Sequence, residues 1–194
     1  MTLEMLQQTH EYKRLPHDGI KREVLYTEEE ISNRVKEIAD KISEDYKGKA
    51  PVLIGILNGA TFFLTDLMRN LDPDLSAEMD SIKISSYGMG QESSGKPEIG
   101  ADLKNEIEDR HVIIVEDIVD TGHSIHTVLP IIAEKRPASV KVCALMSKPD
   151  RREVDVPIDY LGFTIPDYWV EGGGLDSGEK NRGLRDIVIV HNTA

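Results

Sequence analysis

Two stretches of this chain share one pattern: a short, continuously apolar run, a turn of small polar residues and glycine, then an amphipathic helical stretch. PVLIGIL at 51–57 leads through NGA into TFFLTDLMRNL. HVIIVE at 111–116 leads through DIVDTG into HSIHTVLPIIAEKR, with a second apolar run, SVKVCALMS, beyond it. Runs this short and this uniformly apolar suit strands buried on both faces. Strands of that kind alternating with helices form a mostly parallel, twisted sheet flanked by helices, so an α/β, doubly wound fold is expected. Ligands of such sheets bind beyond the carboxyl ends of the strands, where strand order reverses. The turns LNGA and EDIVDTGHS should therefore be neighbours in space.

The remaining segments fit around that core. Thr27 and Glu30 form a capping box, and Ile31, Val35, Ile38, Ala39, Ile42 and Tyr46 come after it at helical spacing, which predicts a helix ending near Gly48. AEMDSIKISSY at 77–87 reads as a strand. GMGQESSGKPEIG at 88–100 carries four glycines and no apolar period, which marks a loop and a candidate lid. After Lys148 come the loop PDRREVDVP, then DYLGFTI, the glycine-rich IPDYWVEGGGLDSGEKNRG, and a final short strand, DIVIV. The length of 194 residues suits one domain. Its core is expected at about 25–150, with a small cap built from about 1–24 and 151–194.

Charge narrows the function classes. The formal net charge is −12, so long-range electrostatics oppose nucleic acid and anionic membrane surfaces. A polyanionic substrate must be held by local groups or by metal ions. Cys143 is the only cysteine and lies in an apolar run, which excludes an internal disulfide and a cysteine-rich zinc site. The N-terminal stretch has no apolar h-region and no run approaches a membrane span, so the cytoplasm is the expected location. His123 and His126 share a helix turn but read as structural or solvated rather than zinc-binding.

The DTGHS turn at 120–124 lies between a strand and a helix. Its backbone amides, the close approach allowed by Gly122, and the hydroxyls of Thr121 and Ser124 make a site for a phosphate monoester. An ordinary N-cap, with Asp120 or Thr121 satisfying helix amides, has the same local sequence. Just before it, Glu116 and Asp117 are adjacent carboxylates that repel unless something lies between or beside them. A vicinal diol, alone or with magnesium, is chemically matched to them.

Together these residues carry a resemblance. VIIVEDIVDTGHSI resembles the phosphoribosyl-diphosphate motif of the type I phosphoribosyltransferases, and specifically of their hypoxanthine-guanine branch. Further segments agree in order: GILNGA resembles the pyrophosphate loop, SSYG with its adjoining glycine-rich loop the mobile lid, LMSKPDRR the base-binding lysine segment, and GFTIPDYWVEGGGLD with RGLRDI the hood and C-terminal segment. The resemblance implies the type I phosphoribosyltransferase fold, with a hood made by the two terminal segments and a lid over about 86–100, beginning at Ser86 and Tyr87.

It also implies roles. Glu116 and Asp117 would bind the ribose hydroxyls, directly or through magnesium. Asp120, Thr121, Gly122, His123 and Ser124 would hold the 5'-phosphate. Asp120 would approach purine N7 as the catalytic acid or base. Leu57, Asn58 and Gly59 would meet pyrophosphate, with a cis peptide at Leu57–Asn58 in place of a plain Asn-Gly turn. Arg182 would contact the same pyrophosphate, and Asp176 would hold a second magnesium. Lys148 would donate to the purine O6, where it could otherwise be a snorkelling strand end. Trp169 would stack on the base, where it could otherwise be core, and the Val170 backbone would read the purine edge. Three positions depart from the pattern: Asn58 and His123 stand where relatives carry lysine, and Gly173 where they carry an aromatic.

The implied reaction joins hypoxanthine or guanine to 5-phospho-α-D-ribose 1-diphosphate, with Mg2+ as cofactor and a homodimer or homotetramer as the implied assembly. Two rivals stay open: a xanthine-preferring enzyme of the same fold, and a non-catalytic regulator, which would be expected to show a basic face.

Overall fold

The computed structural model describes residues 15–16, 18–84 and 103–191. The expected lid, Ser86 and Tyr87 included, lies outside the described residues.

Five parallel strands form the core sheet: β2 (Val52–Leu57), β3 (Glu78–Lys83), β4 (His111–Val119), β5 (Ser139–Ser147) and β6 (Tyr160–Thr164). Their spatial order is β3-β2-β4-β5-β6. The chain runs outward from β2 to β3, returns to the other side of β2 as β4, and then proceeds outward again. Strand order therefore reverses between β2 and β4, and the two glycine-bearing turns lie at the ends of these neighbouring strands. The apolar patterning sets this arrangement, because Val52, Leu53 and Ile54 and then Val112, Ile113, Ile114 and Val115 are fully buried on both faces.

Helices cover both faces. Glu28–Asp45 (α1) and Thr61–Asn70 (α2) lie on one, packing Ile42, Phe63 and Leu67 against Leu53, Ile113 and Leu145. His123–Glu134 (α3) lies on the other, with Ile125, Val128 and Ile132 against Ile114, Val142 and Ala144. The capping box of α1 forms as its sequence requires: Thr27 Oγ1 accepts from the Glu30 amide at 3.3 Å, and Glu30 Oε2 accepts from the Thr27 amide at 2.8 Å.

A second, antiparallel sheet forms the hood, in the order β1-β8-β7, from Lys21–Tyr26 (β1), Ile187–His191 (β8) and Val170–Glu171 (β7). The N- and C-terminal segments thus build the cap together. A buried ion pair ties them, with Arg22 Nε 2.8 Å from Glu171 Oε2.

Two boundaries differ from the sequence reading. β4 does not end at Glu116 but runs to Val119, because pairing with β5 continues through Ile118↔Met146 and Val119↔Ser147. DYLGFTI, placed with the hood, supplies β6, the edge strand of the core sheet, through parallel pairing of Cys143 with Tyr160 and Met146 with Phe163. Among the described residues no helix is long and apolar enough to cross a membrane.

Candidate active site

The two turns meet above the β2–β4 seam. A Cβ built on Gly59 would lie 2.2–2.6 Å from the Asp117 carboxylate atoms, and one built on Gly174 would lie 2.3 Å from the Gly59 carbonyl oxygen. The Asn58–Gly59 turn is thus pressed between β4 and the hood, and only glycine fits both contacts. The Leu57–Asn58 peptide bond is cis. The Asn58 carbonyl oxygen accepts from the Thr61 amide at 3.2 Å and from Thr61 Oγ1 at 2.7 Å, which ties the turn to the start of α2.

At the second turn, Gly122 is the residue preceding α3 and has φ +94°. A Cβ there would also meet the Val154 carbonyl oxygen at 2.4 Å. Thr121 contributes its carbonyl oxygen to the amides of Glu153 and Val154, both at 3.0 Å, so the loop after β5 braces the turn from outside. Among the described residues no side chain caps α3. No hydrogen bond from the Asp120 or Thr121 side chain to its first-turn amides supports the N-cap alternative, and a small cleft beside the turn is lined by Glu116, Asp120, Thr121, Gly122 and Ser124. His123 points outward, with Nε2 2.9 Å from Glu153 Oε2 and both side chains largely exposed.

Because β4 continues past them, Glu116 and Asp117 occupy successive strand positions and their side chains leave opposite faces of the sheet. Glu116 lines the cleft beside the phosphate-type turn, whereas Asp117 faces Gly59. Glu116 is buried, and its Oε2 finds no hydrogen-bond partner among the described residues. Burial, reinforced by the Asp117 charge, holds its carboxyl well above the usual range. Burial likewise raises Asp117 to about 6, against the lowering effect of its own and the Ile118 amides and of Arg182.

At the carboxyl end of β5 stands Lys148, buried, with Nζ 3.7 Å from a carboxylate oxygen of Asp120 and 3.7 Å from one of Asp167. Arg151 completes the group: its Nε is 2.9 Å from Asp120 Oδ1 and its Nη1 3.5 Å from Asp167 Oδ2. The Arg151–Asp120 contact is a charge contact rather than an aligned hydrogen bond, since Asp120 Oδ1 is sealed from solvent yet has no hydrogen-bond partner among the described residues. Arg152 points the other way, donating to the Val119 carbonyl oxygen and Ser147 Oγ beneath the turn.

Trp169 is not core. Its side chain is 59% exposed in the loop between β6 and β7, and its indole Nε1 donates to Ser177 Oγ. Val170, buried, opens β7. Arg182 lies 2.7 Å from Asp176 Oδ1 and donates to the Gly174 carbonyl oxygen at 2.9 Å, while Asp176 Oδ2 accepts from the Glu179 amide at 2.7 Å. Arg182 and Asp176 both act on the Asp117 carboxyl, the first lowering and the second raising its pKa. Gly173, at φ +60°, leaves only side-chain atoms of Ile187 near a hypothetical Cβ.

The donor set fits a hard divalent cation only in part. Among the described residues no three carboxylates, histidines or cysteines converge on a ligand cage. Glu116, with an unpartnered oxygen, and Asp117 lie on opposite faces, so each could give one carboxylate to a magnesium ion, which keeps several waters and takes one or two carboxylates together with substrate phosphates. Asp176 has both oxygens engaged, so it would act on such an ion through water.

Sequence reasoning did not single out Arg151, Asp167 or Ser177. The doublet Arg151-Arg152, shortly past Lys148, was the available signal for the first, but nothing local says which arginine turns inward.

Comparison with known proteins places this geometry. Residues 22–177 match the phosphoribosyl transferase domain family. The chain is 44% identical over 174 residues to the hypoxanthine-guanine-xanthine phosphoribosyltransferase of Tritrichomonas foetus, covering 89% of this chain and 93% of that protein. It is 39% identical over 175 residues to the hypoxanthine-guanine phosphoribosyltransferase of Aquifex aeolicus, covering 90% and 97%. Against the bifunctional TilS/HprT protein of Listeria monocytogenes it is 38% identical, but it spans only 26% of that longer protein. A crystal structure of a hypoxanthine phosphoribosyltransferase from Staphylococcus aureus superposes with a TM-score of 0.82 at 38% identity, covering 90% of this chain and 94% of that one. A sheet whose order reverses between two glycine turns, and matches that span nearly the whole chain, lead to one conclusion: this chain belongs to the phosphoribosyl transferase family, alongside the hypoxanthine-guanine phosphoribosyltransferases.

Proposed function

We propose that this protein is a purine-salvage transferase that moves the 5-phosphoribosyl group of 5-phospho-α-D-ribose 1-diphosphate onto hypoxanthine or guanine, giving IMP or GMP and releasing pyrophosphate. The observation that carries this reading is Asp120. Its Oδ1 is held in charge contact by Arg151, and its carboxylate stands between the uncapped start of α3 and the buried ammonium of Lys148. A site with anion-binding amides on one side, an acceptor in the middle and a buried donor on the other suits a phosphorylated sugar joined to a base with one acidic nitrogen and one carbonyl.

The residues divide the work accordingly. The amides from Asp120 to Ser124, with the Thr121 and Ser124 hydroxyls, hold the 5'-phosphate at the N-terminus of α3. Glu116 and Asp117 hold the ribose hydroxyls, directly or through magnesium, at the carboxyl end of β4. Lys148 donates to the purine O6, Trp169 stacks on the ring, and the Val170 backbone reads its edge. As the purine nitrogen bonds to C1' and the bond from C1' to pyrophosphate breaks, Asp120 accepts the proton that the base sheds through N7. Leu57, Asn58 and Gly59 present backbone to the leaving group, and Arg182 exchanges Asp176 for it. Glu116, Asp117 and Asp176 would hold magnesium, which when bound neutralises charge gathering on the departing pyrophosphate. The relatives' pattern implies a homodimer or homotetramer, which light scattering of the purified protein checks.

Pyrophosphate release measured with magnesium, the activated sugar and each of hypoxanthine, guanine, xanthine, adenine and uracil tests the reading. Turnover is expected with the first two and not with adenine or uracil; no turnover with any base would sink it. The name of the similar Tritrichomonas foetus protein includes xanthine beside hypoxanthine and guanine, so the xanthine arm of the assay tests the rival in which xanthine is the preferred base.

A further inference from the structure

We infer that Arg151, which shares the LMSKPDRR segment with Lys148 but has no role assigned above, is a positioning residue that keeps Lys148 available to the purine carbonyl by taking over the charge of Asp120; the inference rests on the transferase reading. Four charges alternate around a ring: Asp120, Arg151, Asp167 and Lys148. Their contacts are unequal. Arg151 reaches Asp120 at 2.9 Å and Asp167 at 3.5 Å, whereas the Lys148 ammonium stands 3.7 Å from each carboxylate, beyond hydrogen-bond length.

A buried ammonium beside two carboxylates, with no other cation present, is drawn onto one of them and donates its protons there. A second cation bridging the same carboxylates balances the ring at two positive and two negative charges. That removes the pull, and the lysine stays between its neighbours with its protons directed to a ligand. Arg151 is fixed for this role by its backbone. It ends the 3-10 turn Pro149–Arg151, whose first residue is proline, and its amide donates to the Lys148 carbonyl oxygen at 3.2 Å. Arg152 anchors the turn on Val119 and Ser147, so one short segment delivers Lys148 and Arg151 to the site together. A guanidinium suits the bridging position because its fork reaches two carboxylates at once, which a lysine does less well.

The test compares wild type with Arg151→Gln and Arg151→Lys in steady-state kinetics, varying base and activated sugar separately. Arg151→Gln is expected to raise KM for hypoxanthine about tenfold, the lower end for losing a contact between charged groups at a half-exposed site, while KM for the activated sugar stays within about twofold. The preference for hypoxanthine over adenine should narrow by a similar factor. Arg151→Lys should recover part of the base KM, and melting temperatures should stay near wild type because the side chain is 45% exposed. Active wild type with an unchanged base KM in Arg151→Gln, or with equal loss on both substrates, overturns the positioning role alone. A wild type that turns over no base overturns both this role and the transferase reading.

Discussion

The two halves of the site are built by different means. The phosphate-type half, from Glu116 to Ser124, is one unbroken stretch of sequence in which a buried strand delivers carboxylates and a glycine turn delivers amides. The other half gathers Asn58, Lys148, Arg151, Asp167, Trp169, Asp176 and Arg182 from separate segments, and its charges pair with one another and with Asp120. The first half holds unmet demand: a carboxylate oxygen without a donor and amides without a cap. The second holds pairs that a ligand must exchange. A contiguous half can be rigid before the ligand arrives, while a dispersed half is set by contacts that the ligand replaces.

The sharpest way to break this contrast is Asp120→Asn, which keeps the shape but removes the proton acceptor. Turnover should fall about 1,000-fold, within the range for general acid–base catalysis, with product nucleotide affinity changed by less than about threefold in calorimetry. Unchanged turnover would take Asp120 out of the chemistry and leave the two halves without their link.

Gly122→Ala tests the rigidity of the contiguous half. It places a methyl group 2.4 Å from the Val154 carbonyl oxygen at φ +94°, so unfolding in denaturant should show a loss of about 3 kcal/mol. Gly178→Ala in the hood loop, at φ +59° with nothing nearby, should cost about 1 kcal/mol from backbone conformation alone. Equal losses at the two glycines would mean that the turn is not braced by the loop after β5.

A pH series sharpens the idea of unmet demand. Burial raises Asp117 from 3.8 to about 6, so between about pH 4 and 6 the unfolded chain gives up this proton first and the folded state loses stability as pH rises. The loss reaches about 3 kcal/mol by pH 7, and Glu116, also raised, acts in the same direction. Magnesium with the activated sugar should restore melting temperature at pH 7.5 and have little effect near pH 5. A melting temperature that rises from pH 5 to 7.5 without ligand would contradict the burial of these groups.

The smallest effect is expected at His123. Its side chain meets Glu153 on an exposed surface and points away from the cleft, so His123→Gln should change stability by less than about 0.5 kcal/mol and leave KM for the activated sugar unaltered. A loss of sugar affinity would show that this position contributes more than its backbone amide.

Much of the scaffold could be read directly. The strands at 52–57 and 139–147, β4 as far as Glu116, and the three helices arise from apolar runs and periodicity, which act locally. β6 escaped because an edge strand of mixed burial, YLGFT, looks like any extended loop until its neighbour is known. In the site, the phosphate-type turn was legible because its residues are consecutive. Arg151 was not, since its role depends on Asp120 and Asp167, both distant from it along the chain.

By itself, then, the sequence determined the α/β class, two glycine turns that each follow a buried strand, and a carboxylate cluster leading into a helix start. Each depends on hydrophobic period and backbone conformation, both properties of neighbouring residues. Only the tertiary structure decided that Glu116 and Asp117 face opposite sides of β4, that the amides of α3 are left uncapped, that Trp169 is exposed, and that Arg151 shares Asp120 with Lys148. The length of a strand is settled by its pairing partner, and the balance of a charge by every group packed around it.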